Sequence, residues 1–516
     1  MTKDRLLWAD DEIDLLMPHV LYLEAKGYEV VTTTNGRDAL DLCKEQTFDL
    51  VFLDENMPGL NGLETLSAIK EILPTLPVVM ITKNEAEDIM DQAIGSKIAD
   101  YLIKPVNPSQ MLLTLKKNIH KVEIIHETTT NSFQQNFMKL HNQIGDCRTT
   151  EDWTEAYKKI VYWEFELEDA KTGMDDMLKQ LKTEANKLFF KFIKNNYLDW
   201  MDQPSQRPLM SPDLFKTKVF PQLDQNEKVF FLLIDNFRFD QWQVIKRLLG
   251  DRFTFDECLY FSLLPTATQY ARNAIFSGLM PLQIQKMFPD FWVDEEEEEG
   301  KNLNESDLIQ TQFDRYRRKV DFTYNKINNN QTGEKMMTKF KSMLQCPLNV
   351  IVFNFIDMLS HARTESKMIR ELAANESAYR SLTESWFKHS VIAELFDLLA
   401  SENVKIILTT DHGTIHVDNP VKVVGDRNTN TNLRYKVGKN LDYDPKQVFE
   451  IKNPNKHGLP SPNVSSTYIF AGNNDFFAYP NNYAHYATYY KDTFQHGGVS
   501  MEEMMIPFIT LEPKKK

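Results

Sequence analysis

Three stretches constrain this chain most. VFFLLID, NVIVFNFID and VKIILTTD are each a near-continuous apolar run that closes on an aspartate, Asp235, Asp357 and Asp411. Runs of this kind are buried on both faces of a parallel sheet, and ligands gather where parallel strands end. If the three strands are neighbours, acids far apart in sequence converge on one sheet edge. Histidines accompany them: His361 four residues after Asp357, His412 directly after Asp411, and His496 in QHGGVSMEEMMIP. On its own, Asp357-x-x-x-His361 reads better as a strand end with a surface histidine than as a ligand pair; the companion residues decide between the two.

Between the first and second acid lies LLPTATQYARNAIFSG, which supplies Thr266 and Thr268 just ahead of a helix-like run. The physical reading is a two-metal phosphoryl site. One zinc would take Asp235, Asp411, His412 and a threonine oxygen, and the other Asp357, His361 and His496. Mixed carboxylate and imidazole donors suit Zn²⁺, and metals ~3.5–4 Å apart stabilise both oxygens of an in-line displacement. A threonine hydroxyl is a weak nucleophile until a metal activates it, and at a helix start it faces N–H groups that bind phosphoryl oxygens. The competing role for Thr268 is a helix N-cap, and catalysis is the favoured one. Arg238 and Arg272 lie near these motifs and are candidate phosphate clamps, with a structural ion pair as the competing role; Arg434 and Tyr435, in the polar loop after DHG, are candidate substrate contacts. Glu502 and Glu503 are read as orienting the histidine loop, and His416 is the one further histidine near the set.

Length and charge bound the rest. At 516 residues the chain needs two to four domains, and its 42% hydrophobic, 26% charged composition is that of a soluble globular protein. No apolar run reaches the ~20 residues of a membrane span, and acids occupy the place of a signal peptide's apolar core, so a cytoplasmic location is expected. The four cysteines, Cys43, Cys147, Cys258 and Cys346, form no CxxC pair, which argues for a reducing compartment and against a cysteine zinc site. A net charge of −15 disfavours broad contact with nucleic-acid backbone but not a small phosphate-bearing substrate at a metal. Composition then divides the chain into an alternating strand–helix segment to about residue 120, a helical segment over 121–204 read as a small bundle, and a second strand–helix segment over 205–516. The linker's Trp153, Tyr157, Trp163, Phe189 and Phe192 are read as core. DEEEEEG at 294–300 and NKINNNQTG at 325–333 are expected to be polar loops.

In the first segment Asp10 and Asp11 close one predicted strand, Asp54 another in LDENMPGLNG, Thr82 a fourth and Lys104 a fifth. All fall on one carboxyl-end edge. Three carboxylates there repel unless a hard divalent cation joins them, and Mg²⁺ suits such a set.

These residues resemble the receiver domain of two-component response regulators, a flavodoxin-like, doubly wound α/β fold. The resemblance implies that Asp54 is the phospho-acceptor, that Asp10, Asp11, Asp54 and the Asn56 carbonyl hold Mg²⁺, that Thr82 and Tyr101 form the switch pair, and that Lys104, followed by a cis Pro105, contacts the phosphoryl group. It also implies a sensor histidine kinase as partner and a homodimer formed on phosphorylation through the face from Glu85 to Lys121. The C-terminal set, in this order along the chain, resembles the alkaline phosphatase superfamily, with the wording of its PglZ branch in DNFRFDQW and PTATQYARNAIFSG; a relative's P-T-x-T block implies Thr268 as nucleophile, with Thr266 as fallback. Receiver, α-helical bundle linker and α/β alkaline-phosphatase-like domain together resemble response regulators associated with type IX secretion. No third-metal ligand set is visible, which tilts the expected reaction to phosphodiesters of nucleotides or short oligonucleotides. The alternative is a zinc-bound docking module that regulates through protein contacts, for instance with a sigma factor.

Overall fold

Five short strands, β1 (Arg5–Ala9), β2 (Glu29–Thr33), β3 (Leu50–Asp54), β4 (Val78–Thr82) and β5 (Asp100–Ile103), pair in parallel in the order β2-β1-β3-β4-β5. The computed structural model describes residues 3–83, 98–294, 302–365, 371, 373, 375–425, 429–463, 465–480 and 483–514, excluding the side chains of 122–123 and 361–365. Alternation along β1 explains the two-sided core: Leu6 and Trp8 join one apolar cluster, while Leu7 and Ala9 join another. Helices start where the sequence caps them. Asn35 accepts from the Asp38 N–H at 2.9 Å, and Asn61 and Glu64 form a capping box.

The described residues form two compact units, Met1–Gln134 with Asp169–Thr172, and Gln135–Glu168 with Gly173–Lys516. The helices Thr150–Ala170 and Asp175–Asp202 thus lie, apart from residues 169–170, in the same unit as the C-terminal sheet. That sheet has six strands in the order β7-(Met505–Pro513)-β10-β6-β9-β8, where β6 is Val229–Ile234, β7 Phe253–Phe261, β8 Phe322–Ile327, β9 Leu348–Phe353 and β10 Lys405–Thr409. Strands β10, β6, β9 and β8 run parallel, with β6 and β9 buried along their whole length, whereas Met505–Pro513 is antiparallel to both neighbours.

Two expectations are corrected here. Asp357 does not end a strand. β9 stops at Phe353, where the Asn354 N–H makes a last ladder-like bond to the Ile327 carbonyl, and Asp357 lies in the first turn of the helix Phe355–Glu365. Polar Asn354 interrupts the apolar run, and its carbonyl accepts the first helical bond from Met358. NKINNNQTG is not a loop: it holds the end of β8 and the start of the helix Asn330–Met337, which Asn329 caps. The DEEEEEG run lies, beyond Asp294, outside the described residues.

Candidate functional site

In the first unit, Asp10 and Asp54 are buried at the carboxyl ends of β1 and β3, and Asp11 is exposed beside them; their oxygens lie within 4.8 Å of one another. Lys104, one residue past β5, bridges the pair at 2.9 Å to Asp10 and 2.7 Å to Asp54, and the peptide bond to Pro105 is cis. Burial pushes the Asp54 carboxyl above its ordinary range, with the Asp10 charge adding to it and Lys104 opposing. The Asn56 N–H donates to Asp54 Oδ2 at 3.2 Å. Thr82 ends β4 with its hydroxyl donating to the Glu55 carboxylate, and Tyr101 is exposed on β5. The edge brings together every receiver residue singled out from the sequence except Tyr101, which faces solvent.

In the second unit, Asp235 directly follows β6, and Asp411 and His412 follow β10 by one and two residues beyond Thr410. One ligand atom from each lies within 4.8 Å of the others. Thr268 is the first residue of the helix Thr268–Ser277, not its cap, and its side chain caps nothing. Its Oγ1 lies instead 3.1 Å from His412 Nε2 and 3.4 Å from Asp235 Oδ1. His496 stacks on His412 with ring centroids 4.3 Å apart, and its Nε2 is 3.8 Å from Asp357 Oδ1. Asp235, Thr268, Asp357, Asp411, His412 and His496 therefore share one site. The His361 backbone is four residues on from Asp357 in the same helix, so the two positions share a face; its side chain lies outside the described residues.

The surroundings assign the remaining candidates. Arg272 is buried, donating from Nε to Asp411 at 3.0 Å and from Nη1 to Glu305 at 3.1 Å, with Nη2 on Asp235. It therefore holds two of the site's carboxylates in place. Burial raises Asp235 well above the carboxylate range against the pull of Arg272. In Asp411 burial acts the same way but is overcome by Arg272 and His412, leaving it at about 2. Arg238 and Arg434, expected as substrate ligands, are instead engaged in buried ion pairs. Arg238 pairs with Asp240 at 2.6 Å and Glu376 at 2.5 Å, and Arg434 with Glu503 at 2.6 Å and with the Gly472 and Asp475 carbonyls. A buried guanidinium takes as many acceptors as it can reach, and these acids reach it first. Tyr435 is buried with its ring edge-on to Tyr270, and the ring of His416 sits on Phe494. Thr266 is also engaged: its hydroxyl donates to the Gly498 carbonyl at 2.9 Å and accepts from the Gly497 N–H at 3.0 Å, while its own carbonyl meets His496 Nδ1 at 3.0 Å. It fixes His496, whose ring stacks on that of His412. Glu503 orients the same loop through the Gly498 N–H.

Asn236 was not singled out from the sequence. It is fully buried at φ 60°, its Nδ2 donates to Asp357 at 3.3 Å, its N–H points to Asp411, and its Oδ1 has no hydrogen-bond partner among the described residues. An Asn two residues past a strand end tolerates that left-handed backbone, and this was the available signal. A buried acceptor without a donor, beside two carboxylates and two imidazoles, is a setting that a divalent cation completes.

Comparison with known proteins matches three successive segments of the chain to family models. Residues 6–116 match the response regulator receiver domain, 123–201 the PorX response regulator linker domain, and 214–511 the BREX system PglZ alkaline phosphatase-like domain. Curated relatives resemble the first segment. The alginate biosynthesis transcriptional regulatory protein AlgB of Pseudomonas syringae pv. tomato is 37% identical over 117 residues, 23% of this chain and 26% of its own. The transcriptional regulatory protein ZraR of Klebsiella oxytoca is 33% identical over 127 residues, 25% of this chain and 29% of its own. The chain thus spans between a quarter and a third of those relatives' length. The chemotaxis protein CheY4 of Vibrio cholerae is 28% identical with a TM-score of 0.22, covering 23% of this chain and 99% of that one. Receivers bind Mg²⁺, and the acids Asp10, Asp11 and Asp54 offer the donors; alkaline phosphatase-like domains are metalloenzymes. With more than half its length in that match, the chain belongs to the family of PglZ alkaline phosphatase-like domains, carried here as the output domain of a two-component response regulator.

Proposed function

We propose that the output domain is a two-zinc phosphodiesterase acting on nucleotides or short oligonucleotides, gated by phosphorylation of Asp54. The observation that carries this reading is the placement of Thr268. Its hydroxyl, on a partly accessible residue, is aimed at a carboxylate and an imidazole at the start of a ten-residue helix. Asp235, Asp411, His412 and the Thr268 oxygen would hold one zinc, and Asp357, His361 and His496 the other; bound there, the metals would lower the hydroxyl's pKa and offset charge on the phosphoryl oxygens. The chain's own residues do the rest. Thr268 Oγ attacks phosphorus, the ester oxygen leaves, and water later cleaves the phosphothreonine. The first N–H groups of its helix receive the phosphoryl oxygens. Arg272 keeps Asp235 and Asp411 together, and Thr266 keeps His496 turned inward.

Asp54 would be the phospho-acceptor of a sensor histidine kinase, with Lys104 on the phosphoryl group and Thr82 and Tyr101 reporting it. The linker match supports a cytoplasmic switch that controls type IX secretion. The deciding experiment measures zinc content together with hydrolysis of bis(p-nitrophenyl) phosphate and p-nitrophenyl phosphate by wild type and Thr268→Ala. Two zincs per chain and a diesterase rate that the substitution abolishes are the expected result. A faster monoesterase would overturn the diester assignment, and two zincs with no hydrolysis of either ester would leave a docking module.

A further inference from the structure

One linker helix reaches both loops that carry the output site. Along Asp175–Asp202 the residues Leu178, Leu181, Ala185, Asn186, Phe189, Phe190, Ile193 and Tyr197 are buried, a single face at helical spacing. Most are apolar, but the polar members of this stripe are aimed. Asn186 donates from Nδ2 to Glu502 Oε2 at 3.0 Å and accepts the Met501 N–H at 2.8 Å. Lys182, one turn earlier, meets the other oxygen of Glu502 at 3.0 Å and Glu164 at 2.7 Å. Tyr197, three turns later, accepts the Leu264 N–H at 2.9 Å on its hydroxyl. Leu264 begins the segment that ends at Thr268.

The turn that Asn186 and Lys182 grip touches both histidines' loops. Glu503 holds the Gly498 N–H, two residues after His496. The Glu502 carbonyl packs so closely on Gly413, next to His412, that a Cβ there would lie 2.1 Å from it. Its neighbour, the Glu503 carbonyl, accepts the Gly413 N–H at 3.1 Å. The Asn186 and Tyr197 contacts are buried, so water does not dilute them, and the Lys182–Glu164 contact is part-buried.

We propose that Asn186, Lys182 and Tyr197 are positioning residues for the output site, and that the helix Asp175–Asp202 is the element through which its geometry is set. The assignment of the metal ligands rests on the function proposed above; the mechanical role of the helix does not. A shift of this helix by a fraction of a turn would move the Thr268 segment through Tyr197 and the His496 turn through Asn186 together.

The test compares full-length Asn186→Leu, Tyr197→Phe and Lys182→Met with Lys182→Arg, which keeps the charge, and with Leu178→Ala, a buried apolar truncation on the same face. Backbone hydrogen exchange over 262–268 and 496–504 is read first. Asn186→Leu and Lys182→Met are expected to speed exchange over 496–504, and Tyr197→Phe over 262–268, by at least about tenfold. Lys182→Arg and Leu178→Ala should leave both segments at the wild-type rate. On the zinc-loaded protein, Asn186→Leu should weaken zinc binding about tenfold or more, as loss of an outer partner does, and lower kcat with KM unchanged. If Asn186→Leu does not fold, Tyr197→Phe, which removes one hydroxyl, carries the test. Wild-type exchange at both segments in these variants would overturn the proposal, as would equal loosening in Leu178→Ala. A wild type that neither binds zinc nor hydrolyses an ester would sink the functional reading alone, with the exchange data still deciding the role of the helix.

Discussion

In the proposed mechanism each threonine of PTAT has a different job. Thr268→Ala is expected to cut diesterase turnover by at least about a thousandfold, since a lost nucleophile is among the costliest single changes, while Thr268→Ser keeps measurable activity; steady-state rates decide. Arg434→Lys tests the buried pair with Glu503: an ammonium cannot span both oxygens and two carbonyls at once, so about 3 kcal/mol of unfolding free energy should be lost. Arg318→Lys, at the half-exposed pair with Asp224, should cost less than about 1 kcal/mol in the same denaturant titration. Lys436 adds a pH signature. It is buried beside the Asn430 carbonyl and the Tyr479 ring, and burial pulls its ammonium down to about 7. The unfolded chain then binds the proton more tightly, so this residue destabilises the fold most below pH 7 and the penalty fades as pH rises toward the ordinary lysine value. Lys436→Met should therefore raise the thermal midpoint at pH 6–7 and much less at pH 10. At this scale the sequence was legible where one residue type had one use. Asp235, Asp411, His412 and His496 could be named because an acid or imidazole at a buried strand end has few other roles. Arg434 could not be assigned, because its acid partner Glu503 lies 69 residues away with no mark in the sequence; Arg238 has Asp240 two residues on, but the second acid that encloses it, Glu376, lies 138 residues away.

Elements were legible in proportion to how uniform their surroundings are. β6, β9 and β10 are buried on both faces, so an unbroken apolar run reveals them. β7, at the sheet's edge, mixes polar residues with apolar ones and is only partly buried, so no unbroken apolar run marks it. Asp357 was placed at a strand end because Phe355 and Ile356 continue the apolar run, although the backbone has already turned into a helix there. The error left the site intact: helix periodicity brings Asp357 to the same edge that a strand end would. Close approach is the other thing composition hides. Gly413 lies against the Glu502 carbonyl, and Gly413→Ala would force the His412 and His496 loops apart. It should lower the thermal midpoint by several degrees, the scale of about 1–2 kcal/mol in a domain this size, and reduce bound zinc by elemental analysis.

At the scale of the molecule, the chain carries one candidate ligand site in each of two compact units, and the proposed gating means a coupling free energy between them. Coupling is reciprocal for binding. If beryllofluoride at Asp54 tightens binding of a slowly hydrolysed phosphorothioate diester, the same diester must tighten beryllofluoride by the same factor, about 5- to 150-fold for the usual 1–3 kcal/mol. Dimerisation adds a second observable. The helix Pro108–Asn118 presents Leu113 at 68% exposure on the face expected to pair, whose Glu85 end lies outside the described residues. Beryllofluoride should therefore raise the sedimentation coefficient, and Leu113→Lys should abolish that rise without changing Mg²⁺ binding. The two measurements separate the routes a signal can take. Dimerisation with no change in diester affinity would make the receiver an assembly switch whose output is contact. Reciprocal shifts that survive Leu113→Lys would place the coupling within one chain, where the linker helix is the element that meets the hydrolase loops.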